Sequence, residues 1–562
     1  MKIKYSIDTE VLVIGSGGGG IKASIEASEL GTDVLLVSEK KFGTSGSTFY
    51  PGVPGWGMCC VLYDSDSESE YLSEILEAGS GAADPKLSKI LTENATQRFR
   101  DLEGYGLQFA KISEDEYASC IPCFGKNKRG ATTYGLNKIR KVMWQQLMSR
   151  GVNVRNGVTV VSLVVRDGVC AGAVVIDETD NFCFIKAKST VLATGGACGL
   201  YKYSLATNEQ TGDGYLMALE AGARLINLEF IQFIPGITKP VSKTLFQEKN
   251  LDTFPKITNR NGKEFLYDYL PDGVSMEKCL TQRAKHGPFT NVDASRYMDI
   301  AMIEEWRAGR AFAEGGLHMQ YPKEVLTDKR HAITSWLDWM SGMGIDVVGE
   351  GFDILPHAQG FNGGVYIDEN AGAGVRGLFA AGETAGGPHG ADRLGGAAIA
   401  ATQVFGKIAG QSAAKHAKGT EHSDVSTEYA EQYMSQLLQT NGGGVVDIGE
   451  ATARIKEIMW NCGSLVRSEE RSKEGLSKLE QIEKSFSPLM HFESGADIRK
   501  VSKLRSLIKI GKLLLNIMDY RKESRGPHYR IDYPDIEEEF RGAIVSKYKD
   551  GQISLELIDP AK

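Results

Sequence analysis

A run of glycines directly after a short apolar segment constrains the fold of this chain more than any other feature. Residues 10–14 read Glu-Val-Leu-Val-Ile, and residues 15–20 read Gly-Ser-Gly-Gly-Gly-Gly, which fits the pattern G-x-G-x-x-G. Residues 21–30 predict a helix, and residues 33–37 predict a second strand. A strand, glycine turn, helix and strand in this order form a βαβ unit, which implies a parallel sheet with a right-handed crossover.

The glycines of this turn have separate physical roles in binding a dinucleotide. Gly15 makes the tight turn, Gly17 lets the backbone approach a pyrophosphate, and Gly20 lets the helix pack on the strand. The start of the helix supplies amide donors and partial positive charge to the phosphates. Glu39 closes the next strand, where a carboxylate accepts hydrogen bonds from ribose hydroxyls. A glycine turn without a ligand is the alternative interpretation.

Charge and cysteine content exclude several classes of protein. The formal net charge is -8, which disfavours nucleic acid and anionic membranes as partners. The nine cysteines are an odd number spread unevenly along 562 residues, so we expect a reducing compartment and no disulfide framework. No segment approaches the roughly 20 consecutive apolar residues that a membrane span needs. We therefore expect a cytoplasmic protein.

The glycine-rich segments divide the chain. A hairpin is predicted at Asp167-Gly168, between two β-branched runs. Glycine runs stop from about residue 236 to about residue 350 and return between 377 and 415, and charge-rich helical patterns follow. The predicted domains are a first part of a cofactor domain at 1–235, an inserted capping or substrate domain at 236–350, a second part of the cofactor domain at 351–424 and a helical domain at 425–562.

Further motifs make the comparison with known families specific. They follow the glycine turn and Glu39 in the order Ala193–Gly196, Thr211–Gly214, Gly377–Glu383, His389–Gly396 and Arg521–Pro534. In this order they resemble the fumarate reductase and succinate dehydrogenase flavoprotein family, which includes L-aspartate oxidase and the adenylylsulfate reductase flavoprotein. The resemblance spans nearly the whole chain. It implies an α/β fold with a Rossmann-like, two-dinucleotide-binding FAD domain, an inserted α+β capping domain and a C-terminal helical domain.

The resemblance also implies FAD as the cofactor. Glu383 would bind hydroxyls of FAD, and the helix that opens near Gly396 would direct its amides at the flavin edge where negative charge gathers on reduction. Ser47 stands where respiratory members carry a histidine joined covalently to the flavin, so we predict noncovalent FAD. The predicted FAD-binding residues are Gly15, Gly17, Gly18, Gly19, Gly20, Glu39, Ser45, Gly46, Ser47, Thr48, Ala193, Thr194, Gly195, Asp213, Gly382, Glu383, Arg393, Gly396, Ala397 and Ala398.

The substrate pocket departs from the family pattern. Ile234 and Gln359 occupy two positions where carboxylate-reducing members have histidines, and the stretch that carries their proton-donating arginine, here residues 245–258, contains no arginine. Arg393 remains, and the resemblance implies that it holds a substrate carboxylate through its two-pronged donor face. An arginine that bonds helix-end carbonyls is the alternative. We place Gln359 among the candidate catalytic residues with Arg393.

Two other features are candidates for chemistry. Arg283 and His286 lie in the predicted capping domain, and each is a candidate replacement acid, although the end of a surface helix is the favoured interpretation for both. Cys120 and Cys123 form a C-x-x-C pair. No second pair or close histidine joins them in the sequence, so we predict no metal site and interpret them as two ordinary thiols in a loop.

Together with the motifs, the resemblance implies an FAD-dependent oxidoreductase that moves a hydride between flavin N5 and a small, anionic, carboxylate-bearing substrate. Three alternatives stay open. The first is a flavoprotein subunit that passes electrons to an iron-sulfur or other electron-transfer partner, as the resemblance to adenylylsulfate reductase permits. The second is an oxidase similar to L-aspartate oxidase. The third is a flavin-binding protein without catalysis, which the two missing histidines suggest.

Overall fold

The computed structural model describes residues 2–437, 447–485, 495–549 and 552–562. The chain opens with the predicted strand, glycine turn and helix. The strands of this first part are β1 (Tyr5–Ile14), β2 (Val34–Ser38), β3 (Gly55–Cys59), β4 (Gly130–Tyr134), β5 (Asn153–Asn156), β6 (Thr159–Arg166), β7 (Val169–Ile176), β8 (Phe182–Leu192) and β9 (Leu225–Ile226). The helices are α1 (Gly18–Glu29), α2 (Glu68–Gly79), α3 (Pro85–Gly104), α4 (Leu136–Ser149) and α5 (Asp213–Glu220).

A central sheet with the strand order β5-β2-β1-β8-β7-β6 organises this part. Strand β1 lies parallel to both β2 and β8, which confirms the predicted βαβ unit. Its last four residues are buried because both faces of a parallel sheet are covered. Strands β6 and β7 form the predicted hairpin, in which Asp167 and Gly168 both have positive φ, as a two-residue turn of this kind requires.

The middle of the chain forms a second, antiparallel sheet. Its elements are β10 (Ile231–Lys239), β11 (Thr244–Leu245), β12 (Lys256–Thr258), α6 (Met276–Arg283), α7 (Arg296–Arg307), β13 (Leu317–Gln320), α8 (His331–Gly342) and β14 (Phe352–Phe361). The strand order is β11-β10-β14-β13-β12. Strands β10 and β14 are paired with each other and lie at the predicted boundaries near 235/236 and 350/351. The chain therefore enters and leaves this unit through one strand pair.

The next segment returns to the central sheet. It contains β15 (Gly364–Tyr366), β16 (Leu378–Ala380), β17 (Ala385–Gly386) and α9 (Ala397–Lys418). Strand β16 pairs in parallel with β8, on the side of β8 opposite to β1. Helix α9 packs closely on α1, because a Cβ atom at Gly410 would lie 2.2 Å from the Ala23 carbonyl oxygen. The carboxyl ends of β1, β2, β8 and β16 therefore meet at one edge.

The last part of the chain is mainly helical. Its helices are α10 (Thr427–Leu437), α11 (Ile448–Gly463), α12 (Glu469–Ser485) and α13 (Gly495–Tyr520), and its strands are β18 (Val466–Arg467), β19 (Tyr529–Arg530), β20 (Ala543–Lys549) and β21 (Gln552–Ile558). The charge-rich patterns after residue 415 predict helices, and these four helices confirm that prediction within the described residues.

Two details complete this part. Residues 504–518 are mostly buried within α13, and the hairpin of β20 and β21 extends a sheet with the order β17-β15-β9-β20-β21. The architecture is therefore α/β with a mainly helical C-terminal part, as predicted. Within the described residues, no helix combines the length and the apolar character that crossing a membrane requires.

Candidate active site

One large cavity, of about 560 Å³, lies at the edge where the carboxyl ends of the parallel strands meet. Ligands of open α/β sheets bind at this edge. Its wall includes most of the predicted FAD-binding residues: Gly15, Gly17, Gly18, Gly19, Glu39, Ser45, Gly46, Ser47, Thr48, Ala193, Thr194, Gly195, Asp213, Gly382, Glu383, Arg393, Gly396 and Ala398. Gly20 and Ala397 do not line it. Gln359 does.

The glycine turn forms one end of the cavity, and two of its glycines have no room for a side chain. Gly15 has a φ of +107°, and a Cβ atom there would lie 2.2 Å from the carbonyl oxygen of Ala193. A Cβ atom at Gly20 would lie 1.9 Å from the carbonyl oxygen of Gly15. Gly20 is therefore needed for close packing within the turn and does not contribute to the cavity wall. Bare backbone at the start of α1 faces the cavity, which suits the approach of a pyrophosphate.

Glu39 and Asp213 place carboxylates at the same end. Glu39 follows β2 and pairs with Lys503 of α13, with 2.6 Å between Oε1 and Nζ. The C-terminal part of the chain thus reaches the cofactor end of the cavity, which the sequence did not indicate. Asp213 stands in the first turn of α5, and burial raises the pKa of its carboxyl to about 6.

Ser47, Gln210 and Glu383 form a polar cluster farther along the wall. The Gln210 Nε2 donates to Ser47 Oγ at 2.8 Å, and the Ser47 hydroxyl lies 3.4 Å from Glu383 Oε2. The other oxygen of Glu383 accepts the Phe361 backbone N–H at 3.0 Å. Burial raises the pKa of Glu383. Gln210 Oε1 is buried without a partner among the described residues, so the cluster leaves an acceptor for a ligand hydroxyl or amide.

The start of α9 forms the opposite end. Gly396 has a φ of +78°, and a Cβ atom there would lie 2.9 Å from the backbone nitrogen of Cys59. Ala397 is fully buried and supports the turn from behind. Backbone at Gly395, Gly396 and Ala398 faces the cavity, so the partial positive charge of a 22-residue helix points into it. The bare glycine backbone at both helix starts and the unpaired Gln210 acceptor fit an FAD molecule between them.

Arg393 projects into the cavity just before this helix. Its Nη2 donates to Gln232 Oε1 at 2.6 Å, and its Nη1 donates to the carbonyl oxygen of Leu394 at 3.1 Å. Arg393 is half-buried, and it forms no ion pair with any described residue. Burial lowers the pKa of Arg393, but a guanidinium stays protonated in proteins. A half-buried cation that no carboxylate pairs directly attracts an anion.

Three groups that sequence reasoning did not assign to the site share the wall with Arg393. Cys123, Glu248 and His389 all line the cavity. Burial lowers the pKa of His389 to about 3, with a further contribution from Arg393, so this imidazole is neutral at physiological pH. Cys120 and Cys123 both lie in a loop outside the named helices and strands, but Cys120 is exposed and Cys123 faces the cavity. The spacing of these residues along the chain does not indicate that they meet in one cavity.

Arg283 and His286 do not line the cavity, and the expected surface position is wrong for both because both are buried. The Arg283 Nε lies 2.7 Å from Asp299 Oδ2, and its other nitrogens donate to the carbonyl oxygens of His286 and Gly287. The His286 ring stacks on Phe124 at 5.2 Å between ring centroids. Both residues thus support the segment that carries Gly287 to the wall.

Comparison with known proteins identifies the family. A profile of the FAD binding domain matches residues 10–399, and a profile of the fumarate reductase flavoprotein C-terminal region matches residues 452–558. An uncharacterised FAD-dependent oxidoreductase of Methanocaldococcus jannaschii is 31% identical over 556 residues, covering 96% of each chain. One of the fumarate reductase (CoM/CoB) subunits of Methanothermobacter marburgensis is 31% identical over 560 residues, covering 96% of this chain and 97% of that one.

The fold agrees with these matches. A chain of the quinol fumarate reductase of Escherichia coli superposes with a TM-score of 0.83 at 22% identity, covering 100% of this chain and 98% of that one. The FAD binding domain profile covers the glycine turn, the two helix starts and the polar cluster between them. Lys503, the ion-pair partner of Glu39, lies outside the region that this profile matches. This chain therefore belongs to the fumarate reductase and succinate dehydrogenase flavoprotein family and is an FAD-dependent oxidoreductase.

Proposed function

We propose that this oxidoreductase reduces the carbon–carbon double bond of a small unsaturated acid whose carboxylate binds Arg393. When bound, FAD supplies the two electrons of such a reaction as hydride. The protein holds the acid, excludes water and provides a proton. Noncovalent binding of FAD is part of the proposal, because Ser47 occupies the part of the wall where a covalently linked histidine would be expected from the resemblance.

The observation that carries the proposal is the state of Arg393. Its guanidinium faces the cavity, donates to one glutamine and one carbonyl oxygen, and has no carboxylate partner among the described residues. Removing a cation from water is costly unless an anion or hydrogen-bond acceptors compensate. A bound carboxylate restores that balance, and its two oxygens match the paired N–H groups of a guanidinium. The same contact fixes the distance of the neighbouring carbons from the cofactor.

The comparisons and the residues of the cavity wall together restrict the chemical class of the substrate acid. A relative with 31% identity is named as part of a fumarate reductase, which supports reduction of an unsaturated acid. Fumarate itself carries a second carboxylate, and the two family histidine positions hold Ile234 and Gln359 here. Glu248 faces the same cavity and would repel a second carboxylate. We therefore propose an acid with one carboxylate, with Gln359 positioned to donate a hydrogen bond to it.

The proposal is tested by reoxidation of reduced protein. The FAD-loaded protein is reduced with dithionite without oxygen, and flavin absorbance is followed after adding crotonate, fumarate or crotonamide. We expect crotonate to reoxidise the flavin at least about tenfold faster than fumarate, and faster still than crotonamide, which lacks the charge for Arg393. Equal rates with crotonate and crotonamide, or reoxidation by fumarate alone, would refute the proposal.

A second role is favoured by the same relative. The Methanothermobacter protein is one subunit of its enzyme, and the alignment covers 97% of it. We therefore propose that this chain also exchanges electrons with an iron-sulfur or other electron-transfer partner. Copurification of a partner that reduces the flavin supports this role. Turnover by the isolated chain with stoichiometric hydrogen peroxide would instead indicate an oxidase similar to L-aspartate oxidase.

A further inference from the structure

One thiol lies on the wall beside the proposed anion site. All nine cysteines are free and belong to the described residues, and Cys123 is the one that lines the cavity together with Arg393. Cys120, three residues earlier, is exposed. The segment that carries Cys123 packs on the turn before α9, because a Cβ atom at Gly395 would lie 3.0 Å from the Cys123 backbone nitrogen and 3.6 Å from its Sγ. Cys123 therefore sits next to Arg393 and the start of α9.

Two further segments fix the position of this thiol. The backbone N–H of Gly287 donates to Cys123 Sγ at 3.2 Å, and the thiol points towards Glu248 Oε1 at 3.9 Å. A Cβ atom at Gly287 would lie 3.2 Å from Glu248 Oε2, so the carboxylate and the Gly287 segment are also adjacent. The predicted capping part thus supplies both polar neighbours of a thiol that comes from the first part of the chain.

Reduction of a double bond needs a proton donor beside the bound acid, and two other groups near Arg393 are poorly suited to that role. His389 is held neutral by burial and by Arg393. Arg283 lies behind the wall in an ion pair with Asp299. Burial and the Glu248 carboxylate raise the pKa of the Cys123 thiol to about 12, while Gly287, Lys249 and Arg393 oppose that rise. The sulfur therefore carries its proton at neutral pH.

We infer that Cys123 is the catalytic residue that gives the substrate its proton, and that Glu248 is a positioning residue that keeps the thiol protonated and directed into the cavity. This inference rests on the proposed reduction of an unsaturated carboxylate. Arg393 holds the carboxylate, and the neighbouring Cys123 faces the carbons next to it. Glu248 is partly exposed and connects the thiol to solvent.

The step balances with the acid, the hydride that bound FAD would supply, the Cys123 proton and one proton from water. The carbon two bonds from the carboxylate gains the hydride that FAD supplies, and the electron pair of the double bond moves to the carbon next to the carboxylate. That carbon forms a C–H bond as the S–H bond of Cys123 breaks. The substrate would gain two hydrogens and two electrons in all, and Arg393 would stabilise the transient thiolate. A proton from water restores the thiol beside Glu248.

The arrangement can be tested in the FAD-loaded protein with two alkylating reagents. Iodoacetate carries a carboxylate for Arg393 and presents its reactive carbon to a neighbouring thiol, whereas iodoacetamide is similar in size and uncharged. Labelling of each cysteine is measured by peptide mass spectrometry, and exposed Cys120 serves as the internal reference. We expect the rate ratio of iodoacetate to iodoacetamide to be at least about tenfold higher at Cys123 than at Cys120, the size of effect expected of a charge-assisted contact. The difference should disappear in Arg393→Gln.

Two variants extend the test to the proton step. Glu248→Gln should raise the rate of Cys123 labelling by iodoacetamide and shift its pH profile downwards, because the loss of the negative charge favours the thiolate. Cys123→Ala should keep the flavin spectrum and bind crotonate, yet slow reoxidation of the reduced protein by crotonate about 100-fold or more, and Cys123→Ser should restore part of that rate. Cys120→Ser is the matched control, with reoxidation unchanged.

The outcomes separate the two proposals. Equal reagent ratios at Cys123 and Cys120 would place Cys123 away from the anion and overturn the inference, whatever the substrate. The expected labelling without any reoxidation by crotonate would refute the proposed function and with it the proton step. Reoxidation at the normal rate by Cys123→Ala would refute the inference while leaving the proposed function intact.

Discussion

The two ends of the cavity recognise their ligands in different ways. At the dinucleotide end, the backbone of one continuous turn forms much of the wall, and Gly15 and Gly20 are required there by contacts of 2.2 Å or less that a Cβ atom would make. At the substrate end, side chains from residues 123, 248, 359 and 393 converge. The comparison teaches that backbone recognition is written locally in the chain, whereas side-chain recognition is assembled by the fold.

The strongest way to break this comparison is to add one methyl group to the turn. Gly15→Ala should abolish FAD binding, with an increase in Kd of about 100-fold or more, because its Cβ would collide with backbone and its φ is positive. FAD titration followed by fluorescence measures this. Gly31→Ala is the matched control, since Gly31 also has a positive φ but has no atom within 4 Å of its Cβ. Gly31→Ala should lose only about 1 kcal/mol of stability.

At the substrate end, Arg393→Ala should keep the yellow flavin and lose turnover. We expect the rate of reoxidation by crotonate to fall about 100-fold or more, because the loss of paired, charge-assisted hydrogen bonds removes the hold on the carboxylate. Stopped-flow absorbance measures the rate, and the spectrum reports the bound flavin. Arg393→Lys keeps the charge without the two-pronged geometry, so its rate of reoxidation should lie between those of the unmodified protein and Arg393→Ala. If the flavin is lost together with the activity, Arg393 is structural.

The dependence of folding stability on pH tests the electrostatics of Asp392, which precedes Arg393 in the chain. The Asp392 side chain is buried and accepts a hydrogen bond from Thr290 at 2.8 Å. Burial raises the pKa of this carboxyl to about 7. Its neighbours His286 and Asp293 act in opposite directions on that pKa. Because the folded pKa lies above the unfolded value, this carboxyl favours folding most below about pH 4, and that stability is lost as pH rises through 7.

Asp392→Asn can still accept a hydrogen bond from Thr290 but cannot ionise. The difference in free energy of unfolding between this variant and the unmodified protein should therefore grow in favour of the variant by about 2 kcal/mol from pH 5 to pH 8. Urea unfolding at several pH values measures the difference. A gap between the two proteins that does not change with pH would contradict the assignment.

The smallest expected effect concerns the one carboxylate at the dinucleotide end that the sequence motif implies. Glu39→Gln should raise the Kd for FAD by about tenfold, since a charged acceptor of ribose hydroxyls becomes a neutral one. Lys503→Met is the control, because it removes the 2.6 Å ion pair with Glu39 but leaves the carboxylate. If the two variants weaken FAD equally, the ion pair rather than the ribose contact decides the affinity.

The sequence predicted much of the fold, for identifiable reasons. The βαβ unit, the hairpin at Asp167-Gly168 and the helices of the last part each depend on a local pattern, namely glycine position, turn chemistry or apolar periodicity. The strands β10 and β14 were harder, because a long-range antiparallel pair leaves no local mark at the point where one unit becomes another. The domain boundaries therefore stay predictions.

By itself, the sequence determined the cofactor and the family, because a dinucleotide is bound by backbone whose geometry only glycines at fixed spacing allow. The tertiary structure alone decided which side chains share the cavity. It placed Cys123 and Glu248 beside Arg393, moved Arg283 behind the wall and brought Lys503 to Glu39. These contacts join residues far apart in the chain, and their energies depend on burial and on distance, neither of which a linear pattern records.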